Sequence, residues 1–396
     1  MNNCGRGSFF AGPLLLFTLA HLGHHLLTAL PVPLLPMIRS DFALDYTRSG
    51  IVVSAFYLSY GLGQLPAGWL ADRIGRRIVI TIGISGVAVA GILVGLSQAY
   101  VLMVLFLIVM GAAGGGYHPA APPLISALVE PKYRGRALGL HMIGGSISYF
   151  LAPLFAAAIA TVWGWRGAFI ALALPTFLFG FAFCFVLSRP FTTKAFDSKS
   201  DIILGEKRFT PGWVHRLVVF IVLCSINSAV FFSVVSFTPL FLVDHFRIPE
   251  EIVPVYISLL YSAGIWAGPL GGYFSDRVGR VPVILTICFS SGPVIYLLNL
   301  VPRGIGLIAL IFTIGMIIYS RLTVAEAYIV EHTSEKNRST ILGIYFFCNM
   351  EGGGVLTPVM GHVIDQLGFY LSFTIAGGAL ILVTSVCSLW LWKSSD

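Results

Sequence analysis

Charged and amide side chains stand within long apolar stretches in the second half of this chain. Arg321 and Glu326 fall in one such stretch and Glu351 in the next, at similar depths. Because a charge in hydrocarbon costs at least ~2.5 kcal/mol, such groups usually mark a pathway for ions or substrate. We predict that Glu351 takes up and releases protons under the joint influence of burial and Arg321, with a permanent Arg321–Glu351 ion pair as the alternative. Asn227 and Asn349 are predicted to add polar contacts.

Histidines are the notable polar groups within the apolar stretches of the first half. They are His21, His24, His25, His118 and His141. Histidine titrates near neutral pH and can relay protons or bind an anion, so His24, His25 and His118 are predicted to line a cavity, with ordinary packing as the alternative. His21 and His25 share one helix face. No metal site is predicted, since the sequence does not show what would supply the remaining ligands.

The elements that carry these residues are apolar over most of the chain. Hydrophobic residues make up 57% of the 396 residues and charged residues 10%. A soluble fold would expose far too much apolar surface, so the composition indicates an integral membrane protein. The net charge of +7 comes from short basic clusters between apolar runs, which do not predict a nucleic-acid partner. The six cysteines lack metal-site or C-x-x-C spacing and are predicted to be packing residues.

Twelve apolar runs are long enough to span a membrane, which requires ~20 residues. They lie near residues 9–37, 46–70, 78–97, 100–128, 135–160, 166–188, 214–243, 251–275, 281–300, 304–331, 338–364 and 368–392. Lys and Arg concentrate in alternate connections, which predicts that both termini are cytoplasmic. An all-α, multi-pass protein of the inner (plasma) membrane is therefore expected. Glu331, at the end of its run, is predicted to be a solvated end charge.

A charged, glycine-containing loop occurs twice between apolar runs. Residues 68–77 read GWLADRIGRR, and residues 272–280 read GYFSDRVGR at an offset of 204 positions. Glycine permits close helix approach and tight turns, and aspartate accepts hydrogen bonds from helix-terminal amides. The predicted gating residues in these loops are Gly68, Asp72, Arg73, Gly75, Arg76, Gly272, Asp276, Arg277, Gly279 and Arg280. Arg134, Arg136 and Arg338 are predicted to join Asp72 and Asp276 in one charge network.

The repeated loop resembles the loop signature of the major facilitator superfamily. That resemblance implies two parallel six-helix bundles with a substrate site between them. We accordingly expect an N-terminal bundle at 1–188, a cytoplasmic linker at 189–213 and a C-terminal bundle at 214–396. The linker is the longest polar connection in the chain.

Two further motifs resemble particular branches of that superfamily. The run HLGHH at 21–25 and the run GGGYHP at 114–119 resemble the fosmidomycin-resistance branch. The segment from Ser148 to Ala157, with Pro153 among small residues, is similar to the antiporter motif of drug–proton exchangers. These resemblances imply proton-coupled drug efflux.

The function expected first is a proton-coupled secondary transporter that exports a small polar or amphipathic compound by alternating access. The alternatives are an uptake symporter or uniporter for a small organic anion and, third, a non-transporting membrane receptor. An enzyme is not expected, because the sequence shows no nucleotide-binding glycine loop, metal constellation or nucleophile–base set. The expected partners are a small-molecule substrate, protons and the lipid bilayer. The protein is expected to be a monomer and to have no cofactor.

Overall fold

The computed structural model describes residues 6–130, 133–187, 213–333 and 335–392. All regular secondary structure in these ranges is helical, as expected where a bilayer forces the backbone to satisfy its own hydrogen bonds. The side chains of 6–11, 134–135, 335–340, 350 and 392 are outside this description. The predicted linker also lies outside the described residues, apart from Trp213.

Among the described residues, eight α-helices and one π-helical turn precede the linker region. They are α1 Arg6–Thr28, α2 Leu35–Phe42, α3 Tyr46–Ile74, α4 Arg76–Thr81, the π-helical turn Ile82–Gly86, α5 Val87–Leu96, α6 Tyr100–Gly114, α7 Tyr117–Leu128 and α8 Arg134–Leu187. The first predicted run, 9–37, is broken after Thr28. Pro31 and Pro33 follow within the next five residues, and proline disfavours helix at the preceding residue and removes a backbone donor.

Six helices follow the linker region. They are α9 Trp213–Asp244, α10 Val253–Ser262, α11 Gly264–Val278, α12 Arg280–Leu297, α13 Ile305–Glu331 and α14 Glu335–Trp392. The predicted run 304–331 is reproduced almost to the residue by α13. The run 251–275 is instead divided between α10 and α11 at Ala263.

Eight segments of the described residues are long and apolar enough to cross a membrane. Two of them, Arg136–Leu187 and Ile341–Leu391, have 52 and 51 residues, over twice the ~20 of a single span. Each contains one glycine with non-helical backbone angles, Gly164 at φ 66° and Gly368 at φ 72°. Each therefore comprises two of the predicted runs. Together with α1 and α3, all twelve predicted runs contain helix.

The chain divides into two compact units. The first contains residues 1–42, 55–201 and 250–258, and the second contains 43–54, 202–249 and 259–396. Two short segments, 43–54 and 250–258, are thus grouped with the other half of the chain. The predicted bundle and linker bounds stay a prediction.

Each unit has its own apolar core. In the first unit, residues such as Phe17, Ile84 and Phe183 pack around Tyr117 at the start of α7. In the second, Phe220 of α9 stacks on Tyr328 of α13 with ring centroids 3.9 Å apart. Cys224, Cys288 and Cys387 belong to this second core, which confirms for them the predicted packing role.

A glycine run brings α6 against α3. A Cβ atom at Gly111 would lie 2.3 Å from the Phe56 carbonyl oxygen, and one at Gly115 would lie 2.7 Å from Gly63. Only glycine permits that approach. Because α6 ends at Gly114 and α7 begins at Tyr117, the same run also places His118 at the start of a new helix, next to α1.

Candidate functional site

Five histidines from three helices form one cluster in the first unit, which we call the histidine cluster. Its members are His21, His24 and His25 of α1, His118 of α7 and His141 of α8. His21 stacks on His141 with ring centroids 4.2 Å apart, and His118 lies 5.4 Å from His25 and 5.5 Å from His21. The cluster is nearly closed to solvent, since His21 is 1% exposed and His24 is fully buried.

Backbone carbonyls determine the tautomers of three of these histidines. Nδ1–H of His21 donates to the His141 carbonyl oxygen at 3.0 Å, and Nδ1–H of His24 donates to that of Gly83 at 3.1 Å. Nδ1–H of His141 donates to the Phe17 oxygen at 3.1 Å. A carbonyl oxygen only accepts, so each Nδ1 carries the proton and each neutral ring keeps its lone pair on Nε2. The Nε2 lone pairs of His21, His24 and His141 are thereby fixed in orientation within the buried histidine cluster.

Tyrosines and a threonine occupy other positions around the cluster. The Tyr60 hydroxyl donates to His24 Nε2 at 3.0 Å, and Tyr117 stacks on the His24 ring at 4.6 Å. His25 Nδ1 lies 2.8 Å from Thr28 Oγ1, and its ring lies 4.9 Å from that of Tyr149. The cluster thus combines polar nitrogen and oxygen atoms with flat aromatic faces.

The structure brings the predicted cavity residues His24, His25 and His118 together, and their role in a substrate pathway stays a prediction. Tyr60 and Tyr149 are not predictable as members of this site from the sequence. Tyr60 is 36 positions from His24, so no local pattern links the two residues. Tyr117 is the one tyrosine of this group that stands in a predicted motif, because it directly precedes His118 in the run GGGYHP at 114–119.

A buried arginine organises the polar interior of the second unit. Arg321 of α13 is 3% exposed. Its Nη1 donates to the Cys224 carbonyl oxygen at 3.0 Å and to Asn349 Oδ1 at 3.3 Å, and its Nη2 donates to Ser228 Oγ at 3.0 Å. Its Nε has no hydrogen-bond partner among the described residues. A guanidinium with remaining donor capacity is therefore held between α9 and α14.

The predicted pairing of Arg321 with Glu351 is not among the ion pairs between described residues. Glu351 is buried, with 7% exposure, but the guanidinium contacts Asn349, two residues earlier in α14. The proton-titrating role of Glu351 stays a prediction.

Two other predicted polar residues lie in the same unit. Asn227 is fully buried, and neither its Nδ2 nor its Oδ1 has a hydrogen-bond partner among the described residues. Glu326 of α13 is half-buried. An amide without partners is costly to bury, at about 1–3 kcal/mol, so Asn227 marks a position where a further polar group would be stabilised.

The two copies of the repeated loop differ in their ion pairs. Gly75 and Gly279 both adopt positive φ, at 98° and 102°, so each loop turns where an L-residue would be strained. In the first copy Arg76 lies 3.4 Å from Asp72. In the second copy Arg280 lies 2.6 Å from Asp276 and, in addition, 2.7 Å from Glu331 of α13.

Glu331 is the last residue of α13 and its side chain is 46% exposed, in agreement with the predicted solvated end charge. Its carboxylate also accepts hydrogen bonds from Nη2 and Nε of Arg280, a contact that the sequence does not predict. The end of an apolar run shows where a charged residue lies outside the membrane. It does not show which charged residue of another helix lies beside it. The predicted partners Arg134 and Arg338 have side chains outside the described residues.

Removal of the Glu331 charge is expected to have a small effect. The Glu331 side chain is 46% exposed, so solvent screens the pair, and Glu331→Gln is expected to lower the free energy of unfolding by at most about 1 kcal/mol. Thermal unfolding in detergent would show this as a fall in Tm of about 1–3 °C. Glu251→Gln, at an exposed carboxylate, is the matched control, and equal Tm values for the two variants would contradict a contribution from the pair.

Comparisons with known proteins identify the family. The model of the Major Facilitator Superfamily matches residues 17–324 and 257–396. The Hexuronate transporter of Bacillus subtilis is 23% identical over 367 residues, 88% of this chain and 87% of that protein. Multidrug resistance protein MdtG of Citrobacter koseri is 26% identical over 384 residues, 92% of each chain.

A solved structure shows the same fold. It is the crystal structure of a bacterial homologue of the human lysosomal transporter Spinster, in an inward-facing and unoccupied conformation. It aligns with a TM-score of 0.76 at 17% identity, over 99% of this chain and 97% of that one. The prediction of an all-helical transporter fold is thereby confirmed. The chain belongs to the Major Facilitator Superfamily and is a multi-pass membrane transporter of a small organic substrate, not an enzyme.

Proposed function

We propose that this protein is a proton-coupled secondary transporter of a small organic anion and that Arg321 binds the anionic group. The observation that carries the proposal is the buried guanidinium of Arg321. Arginine has five N–H donors in a fixed planar fork that matches a carboxylate. Three neutral groups accept hydrogen bonds from the two Nη atoms of Arg321, and Nε is left without a described partner. The charge is thus held in place without being neutralised by these contacts.

A buried cation of this kind favours an anion over a neutral or cationic substrate. A charge buried without an opposite charge is costly, and an incoming carboxylate would offset that cost through charge-assisted hydrogen bonds. The hexuronate named for the Bacillus subtilis relative is such a carboxylate. These considerations favour the anion over the exported compound that was expected first.

Glu351 is the proposed proton carrier. It is a buried carboxyl in α14, the helix that also carries Asn349. A protonated carboxyl carries no charge. Burial of Glu351 in the apolar interior therefore costs less free energy when it is protonated than when it is ionised. Movement of an anion together with one proton would also be electrically neutral. Alternating access of the transporter would then couple the two movements.

Efflux of an amphipathic compound is the second candidate. The match to MdtG covers 92% of each chain, and Tyr60, Tyr117 and Tyr149 pack against the histidine cluster, an aromatic environment of the kind that suits a flat apolar ligand. The fosmidomycin-resistance resemblance supports the same candidate. Export and import differ in the direction of coupling, which a reconstituted assay measures directly.

The Lys and Arg distribution supports two further features of the proposal. The basic clusters between apolar runs favour an inner-membrane orientation with both termini in the cytoplasm. Separately from that distribution, a monomer is proposed, because each unit has its own apolar core.

Transport in proteoliposomes tests this function. The purified full-length protein would be reconstituted with an internal pH dye, and a hexuronate, a dicarboxylate and a cationic drug would be added singly under an inward proton gradient. Proton flux that requires an anion is expected for the wild type. In Glu351→Gln, which cannot titrate, that flux is expected to fall to the leak rate. Glu251→Gln, at an exposed carboxylate, is expected to retain wild-type flux.

Other outcomes distinguish the alternatives. Flux with the cationic drug alone would support efflux and refute the anion. Entry of a labelled anion without proton movement, in wild type and Glu351→Gln alike, would identify a uniporter. Absence of movement for every compound would refute both the anion and the amphipathic drug as substrate classes.

A further inference from the structure

We propose that His21, His25 and His118 form a binding site for a divalent transition-metal ion such as Zn²⁺ or Co²⁺. One ring nitrogen from each of the three histidines lies within 4.8 Å of the other two. They come from α1 and α7, and 93 positions separate His25 from His118. This site does not depend on the proposed transport of an anion.

His21 is already prepared as a ligand. Its Nδ1–H donates to the His141 carbonyl oxygen, so the lone pair is on Nε2. That Nε2 atom is buried and has no hydrogen-bond partner among the described residues. Metal-binding histidines commonly donate their other N–H to a backbone carbonyl, which holds both tautomer and ring orientation. His21 shows this arrangement, and its lone pair is otherwise unsatisfied.

The other two histidines can supply the second and third nitrogens. His25 contacts Thr28 through Nδ1, which leaves Nε2 for the site. For His118, no hydrogen bond is recorded in the described part of the chain, so neither of its ring nitrogens is committed there. His24 is different, because its two nitrogens bond Gly83 and Tyr60, and it is not a proposed ligand.

A modest movement would close the site around an ion. Zn–N distances of about 2.0–2.1 Å in a tetrahedron place ligand nitrogens about 3.4 Å apart, compared with the 4.8 Å limit observed here. His118 is the member whose ring could turn without breaking a hydrogen bond within the described residues. His21 is held, since it stacks on His141 at 4.2 Å and a Cβ atom at Gly145 would lie 2.6 Å from its ring.

The ligand set selects the class of ion. Neutral imidazoles suit Zn²⁺, Co²⁺, Ni²⁺ and Cu²⁺, whereas Mg²⁺ and Ca²⁺ prefer oxygen ligands. Three histidines also leave a fourth position for water or another ligand. From the sequence alone only the α1 histidines share an evident face, so a metal site was not predicted. The structure adds the ligand from α7.

Cobalt titration of the full-length protein tests the site. The protein would be purified in detergent with a histidine-free affinity tag, treated with EDTA, dialysed and titrated with Co²⁺. Four-coordinate Co²⁺ absorbs visible light, so binding and geometry are read together. One equivalent of saturable absorption is expected for the wild type, with displacement by Zn²⁺. Removal of one of three ligands in His118→Gln is expected to weaken binding at least about tenfold.

His362→Gln, an exposed histidine of α14, is the matched control and is expected to bind as the wild type does. Size-exclusion elution and Tm show whether each variant is folded, and His25→Gln replaces His118→Gln if the latter is not. A wild type without saturable cobalt absorption overturns the proposal, as does equal binding by His118→Gln and His362→Gln. The titration needs no substrate, so its failure and a failure of anion transport are separate results.

Discussion

Arg321→Gln is expected to reduce transport of an organic anion at least about 10-fold and up to about 100-fold. Hydrogen bonds to a charged group contribute about 1.5–3 kcal/mol, and 1.4 kcal/mol corresponds to a factor of ten in binding. Glutamine keeps a hydrogen-bonding amide in the interior but removes the charge and the planar fork. The initial rate of labelled hexuronate entry into proteoliposomes, measured over a range of concentrations, would show the loss chiefly as weaker apparent affinity.

Two further variants separate charge from geometry. Arg321→Lys keeps the positive charge, but an ammonium cannot reach Cys224, Ser228 and Asn349 as the guanidinium does, so an intermediate reduction is expected. Arg303→Gln, in an exposed connection, is expected to transport at the wild-type rate. Wild-type transport by Arg321→Gln, in protein that elutes and melts normally, would refute anion binding by Arg321.

The helices were predictable because membrane crossing imposes a length and a composition on each one. Breaks within them were less predictable. Pro31 and Pro33 end α1 early, and the short connections at Gly164 and Gly368 join pairs of predicted runs into continuous helical segments. In each case a local backbone effect altered a boundary while the number of apolar runs was unchanged.

Partners within the sites were mostly unpredictable, because they depend on which helix faces are adjacent. Arg321 and Glu351 were identified individually by their position in apolar runs. That Arg321 reaches Asn349 and the Cys224 carbonyl oxygen depends on which faces of α14 and α9 lie beside α13, and apolar composition does not specify those faces. The histidine cluster shows the same limit, since the His21 tautomer depends on a backbone carbonyl 120 residues away.

Gly145→Ala is expected to displace the His21 ring. A Cβ atom at this position would lie 2.6–3.0 Å from three atoms of that imidazole, closer than a carbon atom can approach. The ring stacks on His141 and Tyr117 and bonds the His141 carbonyl oxygen, so it cannot yield without losing these contacts. Overpacking of this kind costs about 1–3 kcal/mol, and Tm is expected to fall by about 2–8 °C.

Gly139→Ala provides the matched control in the same helix. Nothing lies within 4 Å of a Cβ atom at Gly139, and alanine is the better helix former by up to about 1 kcal/mol, so its Tm is expected to stay level or rise. Opposite shifts from the same substitution would show that the effect comes from the His21 contact. We expect Gly145→Ala to lose cobalt binding and Gly139→Ala to retain it. If Gly145→Ala instead melts and binds cobalt like the wild type, His21 does not occupy the position from which its ligand role follows.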